Sequence, residues 1–102
     1  MEKYGLHGKL IAAPGKRDEF ISIMLESTKI ISKAKGCLIY LISIDEHDPD
    51  ALWFTEVWES KEDDDNSLKM DSVRAVISQA MPLIGAPPQK GQELIVLGGA
   101  GI

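Results

Sequence analysis

Trp53-Phe54-Thr55-Glu56-Val57-Trp58-Glu59-Ser60 contains both tryptophans of the chain. Its aromatic and β-branched content favours a strand. Side chains on a strand alternate between faces, so Trp53 and Trp58 point to opposite sides of one sheet. Leu52, Phe54, Glu56 and Trp58 share one face, and Trp53, Thr55 and Val57 the other. A sheet with a large aromatic on each side needs cover on both.

Upstream of this strand, the acidic turn Asp45-Glu46-His47-Asp48-Pro49-Asp50 follows Cys37–Ile44 (CLIYLISI), a run apolar on both faces that also reads as a strand. Gly36 closes a helical pattern that starts at Lys16 and reaches about Lys33, with Phe20, Ile23, Met24, Ile30 and Ile31 recurring at helical spacing. Ser27 and Thr28 weaken the centre of that helix without breaking it. Tyr4–Ala13 is the first strand. Tyr4, Leu6, Leu10 and Ala12 lie on one of its faces, and His7, Lys9 and Ile11 on the other.

Downstream, Ser60 reads as a helix N-cap with Asp63 three residues on, opening a short helix to about Lys69. Asp71 or Ser72 caps a second segment with the apolar stripe Val73, Val76, Ile77, Ala80 and Met81. Pro82–Gly91 is broken by prolines and glycines, Glu93–Leu97 is the last strand, and residues 98–102 are a loose tail. The order strand-helix-strand-strand-helix-strand (βαββαβ) specifies an α+β, ferredoxin-like split βαβ fold in a single domain over residues 1–102. Its sheet is antiparallel, with helices on one face. The other face would remain a large apolar patch on a monomer, so a homodimer packed sheet against sheet is expected.

Of the 102 residues, 44% are apolar and 26% charged, as in ordinary globular domains, and the net charge is −5. An acidic chain lacks the basic surface that nucleic acid or an anionic membrane requires. No apolar run approaches the ~20 residues of a membrane span, and the first residues lack a signal-peptide core, so a cytoplasmic location is expected. The single cysteine, Cys37, neither forms an internal disulfide nor holds a zinc ion alone.

Metal sites have no visible basis. The carboxylates of Glu62-Asp63-Asp64-Asp65 diverge by about 100° per residue around a helix and serve its dipole instead. The turn around His47 lacks the spacing of a calcium loop. Neither His7 nor His47 has a nucleophile brought to it by the sequence. Glu56 is the unusual residue, a carboxylate between aromatics on the face that should lie under helices. It either pairs with a cation, Lys9 or Arg74, or faces a cavity beside Trp58 and acts on a ligand there.

Pro14-Gly15-Lys16, Gly36-Cys37-Leu38 with Tyr40, Asp48-Pro49 and Glu56-Val57-Trp58-Glu59-Ser60-Lys61-Glu62, continued by Ser67-Leu68, Ser72-Val73 and Pro82-Leu83-Ile84, carry a family likeness. In order and spacing, the chain resembles the antibiotic biosynthesis monooxygenase (ABM) family, especially its small quinol-monooxygenase-like members. The resemblance implies a dimeric α/β barrel and oxygenation of an electron-rich aromatic, a quinol or polyphenol, by O₂ without flavin, metal or haem. It implies a pocket between sheet and helices, with Glu56 and Trp58 as catalytic residues and Trp58, Phe54, Tyr40 and His7 around the substrate. Asp64 stands where many relatives carry a histidine, and Phe54 where a polar amide is found. The alternative is a dimeric small-molecule-binding or sensing module of the same fold.

Overall fold

A computed structural model describes residues 2–87 and 91–102. The strands are β1 (Lys3–Ile11), β2 (Cys37–Ile44), β3 (Ala51–Trp58) and β4 (Gln92–Val96). The helices are α1 (Arg17–Ile31), α2 (Lys61–Ser67) and α3 (Asp71–Ala80), with a 3₁₀ turn at Met81–Leu83. All ladders are antiparallel, in the order β2-β3-β1-β4. The α+β ferredoxin-like plan therefore holds, and the sheet of one chain is open rather than closed into a barrel. Residues 88–90, within the expected Pro82–Gly91 break, lie outside the described residues.

Helices cover one face. Phe20 of α1 and Ala80 of α3 pack with Leu52 of β3, Ala12 and Leu83 in one core cluster. Ile31 and Val73 enclose Trp58 in a second, against which Tyr4, Cys37 and Tyr40 pack. The register explains who meets whom: Tyr4 opposes Trp58, Leu10 opposes Leu52 and Tyr40 opposes Glu56, and directly opposed side chains share a face. Between Cys37 and Ile39 the ladder slips, so Cys37 pairs with Trp58 and Ile39 with Val57. That bulge lets Cys37 and Tyr40, three residues apart, both turn to the helices.

The Ser60 cap is as the sequence specifies, its Oγ accepting from Asp63 N at 3.2 Å. The α3 start is different: Met70 is the N-cap residue and no side chain caps it, so neither Asp71 nor Ser72 has that role. At the join of α1 and β2, Gly36 adopts φ +83°, and a Cβ there would collide with the Asp63 side chain. Glu59 N also donates to Gly36 O at 2.8 Å. The turn entering β2 is thus fastened to the turn entering α2, and only glycine fits.

The opposite face carries Trp53, Thr55, Ile39 and Leu41, and among the described residues no helix lies on it. Leu41 is 54% exposed. No helix among the described residues is long and apolar enough to cross a membrane.

Candidate functional site

Between the sheet and α1 and α3 lies a cavity of about 210 Å³. Leu10, Phe20, Met24, Val76 and Ile84 contribute to its wall, which is apolar except for Ser27 and Tyr40. The volume is ample for an aromatic ring, since an apolar cavity of about 150 Å³ already admits benzene. The acidic turn holds no metal-ligand set. Asp45 Oδ1 accepts from His47 N and Asp48 Oδ1 from Asp50 N, at 2.8 and 3.2 Å, so those carboxylates hold the turn itself. Among the described residues no group of three or more His, Cys, Asp or Glu side chains could hold a metal ion.

Of the five residues named from the sequence, the cavity wall includes Tyr40. Glu56 lies directly across the ladder from it, on the same face and one strand further in. Glu56 is 8% exposed, and its Oε1 accepts from Trp58 Nε1 at 3.0 Å. Neither expected cation reaches it. Lys9 sits on the other sheet face and pairs with Asp48 at 3.0 Å, while Arg74 is on the exposed side of α3. Its partner is an indole N–H instead. Burial raises the Glu56 carboxyl from the ordinary 4.5 to about 7; the Trp58 bond opposes the rise and the Asp64 carboxylate adds to it. Burial, and then the charge on Glu56, hold the Tyr40 phenol well above its usual range, so it stays neutral. Burial is also the main reason Asp64 itself is raised.

Trp58 is fully buried between Ile31 and Val73 and does not line the cavity. Phe54, on the same face, lies over Gly8 and Gly91 towards β4. His7 is not brought to this group. Strand alternation turns it to the bare face, where its Nδ1 is 3.0 Å from Thr55 Oγ1 and its ring stacks on Trp53 at 5.2 Å. There, His7, Trp53 and Thr55 border an open concavity of about 420 Å³ with the Ser43–His47 turn.

Ser27 is the site residue the sequence reading passed over. It is 4% exposed and donates to Met24 O at 2.6 Å. The signal was present, because Phe20, Met24, Ser27 and Ile31 follow the 4-3-4 spacing of one helix stripe. Its polarity drew attention to helix propensity rather than to position.

The sequence model for antibiotic biosynthesis monooxygenases matches residues 4–79, and the chain belongs to that family. Membership supports a general monooxygenase-like role. A structure from Chloroflexus aurantiacus J-10-fl, named for the same family, is similar at 44% identity with TM-score 0.88, covering 98% of each chain. Structures from Caulobacter crescentus CB15 and Nitrosomonas europaea, also named for the family, share the fold at TM-scores of 0.84 and 0.85. Their identities are 20% and 11%; 94% of this chain is covered in both, with 91% and 90% of theirs. No curated protein matches.

Proposed function

We propose that the protein is a cofactor-independent monooxygenase that oxidises a small electron-rich aromatic of quinol or polyphenol type with O₂, working as a homodimer. The observation that carries this reading is the apolar cavity whose wall hydroxyl, Tyr40, is backed across the ladder by a buried carboxyl titrating near neutrality. A flat ring fits such a cavity, and its hydroxyl has Tyr40 to address. The redox balance closes without a reductant: quinol plus O₂ gives hydroxyquinone plus water, one oxygen atom entering a ring C–H and the other leaving as water. The substrate's own electrons reduce the oxygen once a phenolic proton is gone. The protein's tasks are then to hold the ring, take the proton and exclude water.

Glu56 is the proton acceptor in this scheme, and Trp58 positions it through the indole N–H. Phe54 borders the same face, whereas His7 and Trp53 belong to the face that meets the second copy. One observation favours the other reading, a binding module without turnover: Glu56 stands behind Tyr40 rather than on the cavity wall.

Oxygen uptake with naphthohydroquinones in chelator-treated buffer tests the proposal. Uptake above autoxidation is expected, with one ¹⁸O atom from ¹⁸O₂ in the product and one in water. Tight quinol binding with no excess uptake would establish the binding module instead.

A further inference from the structure

The cavity wall has a buried part and an open part. Phe20, Val73 and Ala80 are buried, whereas Leu68, Ile77 and Met81 line the same space and are between 42% and 54% exposed. Helix pitch accounts for the change along α3, since Met81 keeps helical backbone angles. Ile77 follows Val73 by four residues and Met81 follows Ile77 by four, so successive side chains turn about 40° round the axis, from core to solvent. Leu68, at the end of α2, reaches the cavity from the turn before α3. The three side chains form its mouth, an apolar rim continuous with an apolar interior.

Single exposed apolar side chains are ordinary, but three at one cavity mouth make a patch. Its size and place say what covers it. A stable protein interface needs about 800 Å² from each partner, far more than three half-exposed side chains offer. A cavity of about 210 Å³ takes one or two rings but no chain of several carbons besides. Such a chain has to leave by the mouth. Tyr40 stands on the sheet wall and the rim belongs to the helix layer, so a ring addressed to Tyr40 turns its far side outward.

We propose that the substrate is a phenolic ring carrying an apolar chain, with the ring in the cavity and the chain laid over Leu68, Ile77 and Met81. The inference rests on the cavity being the ligand site, and it deepens that reading by naming the ring's substituent. Met81 suits the role, because an unbranched thioether side chain adapts to partners of different shape. A charged substituent would find no partner among the three.

The test is equilibrium binding under argon with 1-naphthol and its 4-methyl, 4-propyl and 4-hexyl derivatives. Full burial of a methylene is worth about four-fold in affinity, and a rim covers only one side of a chain. The wild type should therefore gain roughly two-fold per carbon, binding the hexyl compound on the order of 50-fold more tightly than 1-naphthol. The readout is the ratio of hexyl to parent affinity, which cancels whatever a substitution does to the ring itself. Met81→Ser should cut this ratio by about three-fold or more. Leu68→Ser combined with Met81→Ser should bring it near the value for the methyl compound.

A ratio near one in the wild type, or an undiminished ratio in the double variant, overturns the rim assignment. If Val76→Trp still abolishes 1-naphthol binding in either case, the cavity remains the ligand site and only the substituent is wrong. If none of the four naphthols binds the folded protein, both readings fail. Should the double variant not fold, an unchanged ratio in Met81→Ser overturns the assignment on its own.

Discussion

Trp58 donates its indole N–H to Glu56 two residues earlier on the same strand, across 3.0 Å, with both side chains buried. Both point to the helix face, so the bond runs along β3 and not between strands. It ties a large aromatic at the end of the core to a buried carboxyl behind the cavity.

Acidity follows from that burial. Folded Glu56 holds its proton to about pH 7, against an ordinary 4.5. The folded state therefore binds more protons than the unfolded chain across that window. The stability from neutral Glu56 is fully present below pH 4.5 and is lost as the pH rises through 7. The loss is on the order of 2–4 kcal/mol. Asp64, also raised, acts in the same direction. Urea unfolding from pH 5 to 8 should show stability falling with pH, and Glu56→Gln should flatten the profile. An unchanged slope in that variant would remove Glu56 as its source.

Activity should run the other way. If Glu56 accepts the substrate proton, kcat/KM for quinol rises as the pH passes about 7 and the carboxylate forms. Glu56→Gln should lower kcat far more than it changes binding. A pH-independent rate in the wild type would assign the proton to another acceptor.

Trp58→Phe removes the N–H partner and part of a tightly packed ring. A cost of about 1–3 kcal/mol is expected from the unmade bond alone, and the Glu56 carboxyl should titrate higher. Affinity for naphthol should change little, because Trp58 is in the core and off the cavity wall. A large affinity loss without destabilisation would put the indole in contact with ligand.

Val76 projects into the cavity from α3. Val76→Trp should fill that space, keep the far-UV spectrum and abolish naphthol binding, at a repacking cost of about 1–3 kcal/mol. Retained binding would move the ligand site elsewhere.

On the bare face, the proposed homodimer predicts a mass of twice 11.2 kDa in sedimentation. Leu41→Asp should dissociate it and Trp53→Ala should weaken it, with helix-face probes such as Trp58 fluorescence unaffected. A wild type sedimenting at 11.2 kDa would leave Leu41 and Trp53 without a partner.

How much was legible depended on whether a rule was local. Period two along β3 was enough to separate Trp53 from Trp58, and the Ser60–Asp63 cap appeared where serine and spacing indicated. Tyr40's face was not legible, since the bulge beside Leu38 shifts the alternation and a bulge has no fixed residue signature. His7 was grouped with Glu56 by resemblance, although its own strand pattern set it with Lys9 on the far face. Ser27 followed the core stripe but was read through its hydroxyl. Burial of a carboxylate suggests a cation as the Glu56 partner, whereas the neutral indole donor two positions along its own strand fills that role.

The Phe54 ring occupies the volume that side chains at Gly8 and Gly91 would claim. A Cβ on Gly8 would come within 2.9 Å of Phe54 Cε1, and one on Gly91 within 3.2 Å of Cζ. Gly8 also opposes Phe54 in the β1–β3 ladder. Positions 8, 54 and 91 thus share a fixed allotment of space among three separate segments of chain. Drift at one of them is constrained by the others: a smaller residue at 54 opens room for alanine at 8, whereas alanine at 8 beside phenylalanine forces the ring aside. Descendants of this sequence should exchange these positions as a set, and a library randomising all three together should yield folded combinations that no single substitution reaches.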